Sequence, residues 1–280
     1  MPAISVKDHS VSQEAFQLQR CTSCGFLATT PRPSAAEIGP YYDSEDYVSH
    51  SNTKRGAQFK LYQAARRHAL RTKHAQIEQY HPAGNVLDYG CGTGEFLGHL
   101  KTQGYQATGI EPNPKARAQA TQSQGVTAYA TLEELPRDST YQVITLWHVL
   151  EHIHNLLETT RQLFDRLTPG GVLIIAVPDR ESWDAQHYGA DWAAYDVPRH
   201  LWHFRRRDVQ RLLEQQGLRL DRIAPMWLDA PYIAMHSERY RGAGALTALI
   251  KGGILGSWSN VVAATTQRPT SSSLFFAVKP

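Results

Sequence analysis

Residues 85–97 read NVLDYGCGTGEFL, a short apolar run that ends in Asp88 and then passes through glycines at 90, 92 and 94 into the start of a helical period. Glycine takes positive φ and lets backbones approach closely, so this pattern predicts a strand bent sharply into a helix. In an open α/β sheet such a turn sits outside the carboxyl ends of the strands, where ligands bind. The chain beyond residue 84 fits that architecture. Apolar or β-branched runs at 106–110, 126–129, 142–147 and 171–177 alternate with helical periods at 95–103, 114–124 and 156–167. That alternation predicts a mostly parallel sheet with helices on both faces. Two more strands fit 218–223 and 273–278, the first of them after a helix at about 206–216.

Glu111 ends the second strand, in the run GIEPN. A carboxylate there can accept both hydroxyls of a ribose, so the expected ligand contains a nucleoside. Spacing separates the two cofactor classes that remain. A dinucleotide fingerprint is GxGxxG with a helix N-terminus aimed at a pyrophosphate. Here Gly90-Cys91-Gly92-Thr93-Gly94 comes just after Asp88 and Tyr89, and a carboxylate at that place repels a pyrophosphate while suiting a cationic amino-acid tail. An ammonium, a sulfonium and an adenosine together describe S-adenosyl-L-methionine.

On Asp88, the glycine loop and Glu111, the chain resembles the class I S-adenosylmethionine-dependent methyltransferases over roughly residues 80–225. The resemblance implies a Rossmann-like, seven-stranded, mostly parallel sheet with a reversed last strand, for which 273–278 is the candidate. It also implies that residues 88–94 wrap the methionine part and that Glu111, followed by Pro112, takes the ribose. Leu132, in the segment after the third strand, would lie along the adenine, with Trp147 and His148 completing the cofactor set beside the methyl group.

The acceptor side is informative partly through what it lacks. The run ITLWHVLEHI, 144–153, has neither the N/D-P-P-aromatic motif of nucleobase amino methylation nor a Pro-Cys nucleophile, which argues against a nucleic-acid acceptor. Its LEHI pattern resembles that of the ubiquinone-biosynthesis O-methyltransferases, implying that Glu151 and His152 lie at or near the active site; the alternative is a polar pair that orders a helix start. A long irregular insertion at about 178–204 reads as a functional lid, with Trp183, Tyr188, Trp192 and Tyr195 as its walls. It ends in DVPRHL, which makes Arg199 and His200 acceptor-side candidates. His200 is the expected general base, or else a tie between lid and sheet, and His203 is expected to cap or pack. Transfer from an activated sulfonium depends mostly on positioning. A base matters if the acceptor is a hydroxyl, and histidine is suited to it near neutral pH.

The remaining expectations concern the flanks. Residues 1–52 read as a loop-rich appendage with one strand-like run at 15–18 and half a zinc knuckle, Cys21-Thr22-Ser23-Cys24-Gly25. Two thiolates and His9 do not complete a tetrahedral site, so no metal is expected. The methyltransferase domain would occupy 53–280, opening with a helix at 53–80 whose Lys54, Arg55, Lys60, Arg66, Arg67, Arg71 and Lys73 form a solvated basic face. The apolar, glycine-rich stretch 242–258 carries Lys251 and is expected as a helix packed on the substrate face, with the cover of a lipid-like acceptor as the alternative, rather than as a membrane span. A net charge of +3 over 280 residues, three cysteines and a start without a signal-peptide design point to a cytoplasmic protein. The expected partner is a small-molecule acceptor such as a quinone, a sugar or another metabolite. An RNA methyltransferase and a non-catalytic cofactor-binding module are the rival readings, and the sequence says nothing of oligomeric state.

Overall fold

A computed structural model describes residues 4–42 and 57–280, with side chains from residue 66 onward in the second segment. The chain opens with β1 (Ile4–Lys7), β2 (Ala15–Arg20) and β3 (Leu27–Thr30). Then come α1 (Ala57–Glu78), β4 (Asn85–Tyr89), α2 (Glu95–Thr102), β5 (Gln106–Ile110), α3 (Pro114–Gln124) and β6 (Thr127–Tyr129). The second half continues with β7 (Tyr141–Trp147), α4 (Leu156–Asp165), β8 (Leu167–Pro178), α5 (Trp183–Tyr188) and β9 (Trp202–His203). It closes with α6 (Arg206–Gln215), β10 (Arg219–Pro225), α7 (Asp229–Tyr240), α8 (Ala245–Thr265) and β11 (Ser272–Val278).

The large sheet has the order β10-β11-β8-β7-β4-β5-β6. Its β8, β7, β4, β5 and β6 run parallel, and β11 lies antiparallel between β8 and β10. This is the seven-stranded, reversed-end sheet that the sequence predicts. Its central strands are apolar on both faces because helices cover both: Val86, Leu87, Ile144 and Leu173 have no exposed surface. At the end of β4 the chain turns at Gly90, φ +80°, where a Cβ would meet Val149 at 2.5 Å. Asn113 then caps α3 by accepting from the N–H groups of Lys115 and Ala116, with Pro114 at the first helical position.

Several expectations need correction. The start of the chain is not loop-rich with one strand: β1, β2 and β3 form an antiparallel meander, and β9 from the lid adds a fourth strand to it. The β1–β2 turn is built on Asp8, which accepts from the N–H groups of Ser10, Val11 and Ser12. The lid is not irregular throughout, since it holds α5, two 3₁₀ turns and β9. Three of its four expected wall residues, Tyr188, Trp192 and Tyr195, are buried in one core with Val6, Phe16, Leu18 and Leu27. They anchor the lid to the first sheet instead of facing an acceptor, whereas Trp183 is half-buried and stacks on His187.

The basic face of α1 also differs from expectation. Lys54 and Arg55 lie outside the described residues, as does the side chain of Lys60. Arg67 and Arg71 are exposed as expected and Arg66 pairs with Glu95, but Lys73 turns inward over the rings of Trp147 and Phe96. From Ala245 on, the stretch 242–258 belongs to α8, which packs on α7 through Gly252 and Gly256, where a Cβ would come within 2.4 Å of the Met235 and Pro231 backbones.

Candidate active site

The cofactor-side residues converge at the carboxyl edge of β4 and β5. Asp88 is buried, and the Thr145 hydroxyl donates to its Oδ1 at 2.6 Å. Burial pushes its pKa up to about 6, against the pull of that hydrogen bond and of the Lys73 ammonium. The Lys73 Nζ lies 4.5 Å from the centroid of the Trp147 ring. Burial lowers its pKa while the carboxylates of Asp88 and Asp229 resist that shift. Glu111 spans the loop: its Oε2 accepts from the Gly92 N–H at 2.9 Å and its Oε1 from the Asn113 N–H at 2.8 Å. The acid is thereby fixed at the end of β5, beside the exposed Pro112.

Not every residue of the predicted cofactor set turns its side chain toward this edge. Cys91 packs beneath the loop with Leu97, Ala120 and Val126, and burial pushes its thiol pKa up. Leu132 is part of the main core, and Tyr89 packs against that core. Gly90, Gly92, Thr93 and Gly94 form the turn itself, with positive φ at each of the three glycines.

Beyond β7 the chain builds a cluster of histidines around one carboxylate. His148 has φ +56°, a conformation that strains a residue with a side chain. Its Nδ1 lies 3.5 Å from Glu151 Oε1 and its Nε2 lies 3.1 Å from Asp229 Oδ2. Burial opposes a charge there, yet the two carboxylates outweigh it and raise the pKa to about 10. Glu151 is 1% exposed, and its ion pair with His148 is joined by His200 Nε2 at 3.9 Å. Its pKa is nevertheless lowered, because the surrounding imidazoles offset the burial.

His152 and His200 complete the cluster, with ring centroids 4.6 Å apart. The His152 Nδ1 lies 3.0 Å from both the Arg199 carbonyl and the Tyr42 hydroxyl. Burial and the neighbouring His200 lower its pKa to about 4. The His200 Nδ1 is 2.9 Å from the Ala194 carbonyl, an acceptor that only an N–H can satisfy, so Nε2 carries the lone pair in the neutral ring. That Nε2 stands 3.9 Å from Glu151 Oε1 and 3.9 Å from Asp196 Oδ2. Glu151, His152 and His200 each bring one donor atom within 4.8 Å of the others, a spacing that a divalent cation could draw together.

Arg199 is placed differently from its acceptor-side expectation. It is buried, its guanidinium donates to Asp8, Asp196 and the Tyr41 carbonyl, and these bonds tie the first sheet to the lid. His203 packs as expected, with its Nε2 3.0 Å from the Thr29 hydroxyl. Cys21 and Cys24 are exposed at the β2–β3 turn, and among the described residues no third ligand joins them. His9 stacks on Tyr240 instead. Lys73 and Asp229 are the site residues that sequence reasoning missed. Lys73 was hidden in a run of basic residues, and Asp229 in a stretch without a motif.

The family described as "Methyltransferase domain" matches residues 62–223, more than half of the chain. The chain belongs to that family. Among curated relatives, a ubiquinone biosynthesis O-methyltransferase of Rickettsia bellii is 27% identical over 150 residues, covering 49% of this chain and 62% of that protein. The protein of the same name from Rickettsia prowazekii is 32% identical over 101 residues, covering 34% and 40%. The matches thus span less than two thirds of those relatives. Among solved structures, magnesium protoporphyrin IX methyltransferase from Synechocystis PCC 6803 with bound S-adenosylhomocysteine aligns at TM-score 0.55 and 14% identity, covering 86% of this chain and 97% of that one. Phosphoethanolamine N-methyltransferase 2 of Haemonchus contortus, in complex with S-adenosylmethionine, aligns at 0.50 and 16%, covering 75% and 52%. At these identities the two structures speak for the fold alone. No helix among the described residues is long and apolar enough to cross a membrane.

Proposed function

We propose that this protein transfers the methyl group of S-adenosyl-L-methionine to an oxygen of a small-molecule acceptor. In this reading Asp88 faces the ammonium of the methionine tail, Lys73 its carboxylate, and Glu111 the ribose hydroxyls. The acceptor lies past the end of β7, next to His148 and the cluster around Glu151. The sulfonium is already activated, so the in-line displacement needs alignment, and an acceptor hydroxyl needs somewhere to leave its proton. His200 Nε2 takes that proton, and the carboxylates of Glu151 and Asp196 stabilise the imidazolium that forms. The ubiquinone-biosynthesis relatives support a phenolic or quinol-like hydroxyl ahead of a sugar or another metabolite.

The observation that carries the oxygen-acceptor reading is the buried Glu151 carboxylate, ion-paired with His148 and 3.9 Å from His200 Nε2, where it favours a proton on His200. Incubation with methyl-labelled cofactor and a panel of phenols, sugars, amines and RNA tests the acceptor class, and label in phenols is expected. With an acceptor in hand, His200→Ala should lower kcat by about 10²- to 10⁴-fold, leave cofactor affinity unchanged and remove the acidic limb of the rate profile. Loss of that limb in His152→Ala instead of His200→Ala would reverse the two roles. A second reading draws on the donor atoms of Glu151, His152 and His200: a divalent cation there would lower the pKa of the acceptor hydroxyl. Activity that falls on chelation and returns with added metal favours that reading, and activity indifferent to chelation favours the histidine base.

A further inference from the structure

Residues 21–25 make one tight turn between β2 and β3, and it carries the two thiols of the chain that are exposed. The Gly25 N–H donates to the Cys21 carbonyl at 2.9 Å and the Cys21 N–H to the Phe26 carbonyl at 2.8 Å, while Gly25 takes φ +73°. That closure sets residues 21 and 24 three apart on a single helical turn, where side chains are neighbours. The Cys21 sulfur faces the N–H groups of Cys24 and Ser23 and the Cys24 thiol. These hold its pKa below the ordinary thiol value, although desolvation opposes them. Cys91 is the contrast, since burial beneath the cofactor loop pushes its thiol pKa up.

Arginines hold this turn from behind. Arg205 donates to the Cys24 carbonyl at 3.1 Å, and Arg180 donates to the Gly25 carbonyl at 3.0 Å. Arg20 stands beside them, with its Nη1 3.8 Å from where a Cβ on Gly25 would lie. Asp208, which pairs with Arg205 at 2.6 Å, and Glu181 are the carboxylates that act on this group. Exposed thiols contribute nothing to a core, and a sulfur held by backbone N–H groups beside guanidiniums has the surroundings of a reactive cysteine. A tetrahedral metal ion needs more donors than these two, and among the described residues no third ligand joins them. A disulfide needs only the two sulfurs.

We propose that Cys21 and Cys24 form a reversible dithiol–disulfide site that exchanges with small disulfides of the glutathione type. The Cys21 thiolate attacks one sulfur of the small disulfide, whose S–S bond breaks and releases a thiolate that takes a proton from solvent. Cys24 then gives its proton to water and attacks the Cys21 sulfur of the mixed disulfide. The second small thiol leaves as the Cys21–Cys24 bond forms. The pair has lost two electrons and two protons, and the small disulfide has gained them as two thiols. Neither step depends on which atom is methylated. The test is incubation of the reduced full chain with glutathione disulfide at neutral pH, read by mass spectrometry of the intact protein and its peptides. The wild type should lose two hydrogens in the peptide that holds residues 21 and 24, keep Cys91 as a thiol, and return to its reduced mass with dithiothreitol. Cys24→Ser should stop at the mixed disulfide on Cys21, and Cys21→Ser should react about tenfold more slowly than Cys24→Ser. Both side chains are exposed, so thermal unfolding of the two variants should match the wild type. No oxidation of the wild type, glutathione retained on it without ring closure, or equal rates for the two variants overturns the proposal. So does zinc that stays with the wild type through purification, blocks its oxidation and is lost in either variant, which would give the pair to a metal.

Discussion

Replacing Lys73 by methionine separates recognition of the cofactor's amino-acid tail from recognition of its nucleoside. The Lys73 Nζ sits over the Trp147 ring, and Asp88 and Asp229 are the carboxylates that act on it. A charge-assisted hydrogen bond from this ammonium to the cofactor carboxylate contributes about 1.5–3 kcal/mol. Lys73 is half-buried and keeps part of its surface in water, so the lower end applies, about tenfold in Kd. A second effect has the same sign. Without the nearby ammonium, the pKa of Asp88 rises above its present value of about 6, which neutralises part of the carboxylate at neutral pH and weakens its hold on the cofactor ammonium. This second loss should fade as the pH is raised. Titration calorimetry with S-adenosylhomocysteine and with methylthioadenosine, which lacks the amino-acid tail, reads the two parts separately. The reasoning predicts weaker binding of the first ligand and unchanged binding of the second. An equal loss for both ligands, or no loss for either, refutes the role given to Lys73.

Other substitutions probe the same frame. Glu111→Ala removes the acceptor for the Gly92 and Asn113 N–H groups and for the ribose, so calorimetry should show at least about a tenfold loss of S-adenosylhomocysteine affinity; unchanged affinity would place the ribose elsewhere. In the wild type, the raised pKa of Asp88 means that its carboxylate is neutralised as pH falls through about 6. Affinity for S-adenosylhomocysteine should therefore drop between neutral pH and pH 5, and a flat profile in Asp88→Asn should identify the group. Arg199→Met strands the buried Asp8 carboxylate and should destabilise the fold by about 3–5 kcal/mol in denaturant titration with cofactor affinity retained; a selective loss of turnover at full stability would return Arg199 to the acceptor site.

The large sheet and the cofactor loop were legible because each is written in contiguous residues. A strand buried on both faces must be a continuous apolar run, as 171–177 is, and Asp88, the glycines and Glu111 sit at fixed places on the first two βα units. Of the first sheet only β2 was legible, and the rest was hidden for the opposite reasons. β1 and β3 are four residues long, and the second partner of β3 is the two-residue β9, far along the chain. The aromatics of the lid were visible as a group, but their orientation depends on that sheet, so Trp192 and Tyr195 read as walls although they are core. On the acceptor side, Glu151 and His152 could be picked out within one motif. Their partner His200 comes from the lid, and Asp229, which meets His148, comes from α7; no spacing in the sequence encodes those meetings.

The most direct test of the central claim, that the carboxyl edge of β4 and β5 holds S-adenosylmethionine, is a calorimetric titration of the wild-type protein with S-adenosylhomocysteine and, separately, with NAD. The account predicts saturable binding of one S-adenosylhomocysteine per chain and no heat of binding from NAD, because Asp88 attracts an ammonium and repels a pyrophosphate. Binding of NAD with comparable affinity, or no binding of S-adenosylhomocysteine, would contradict it.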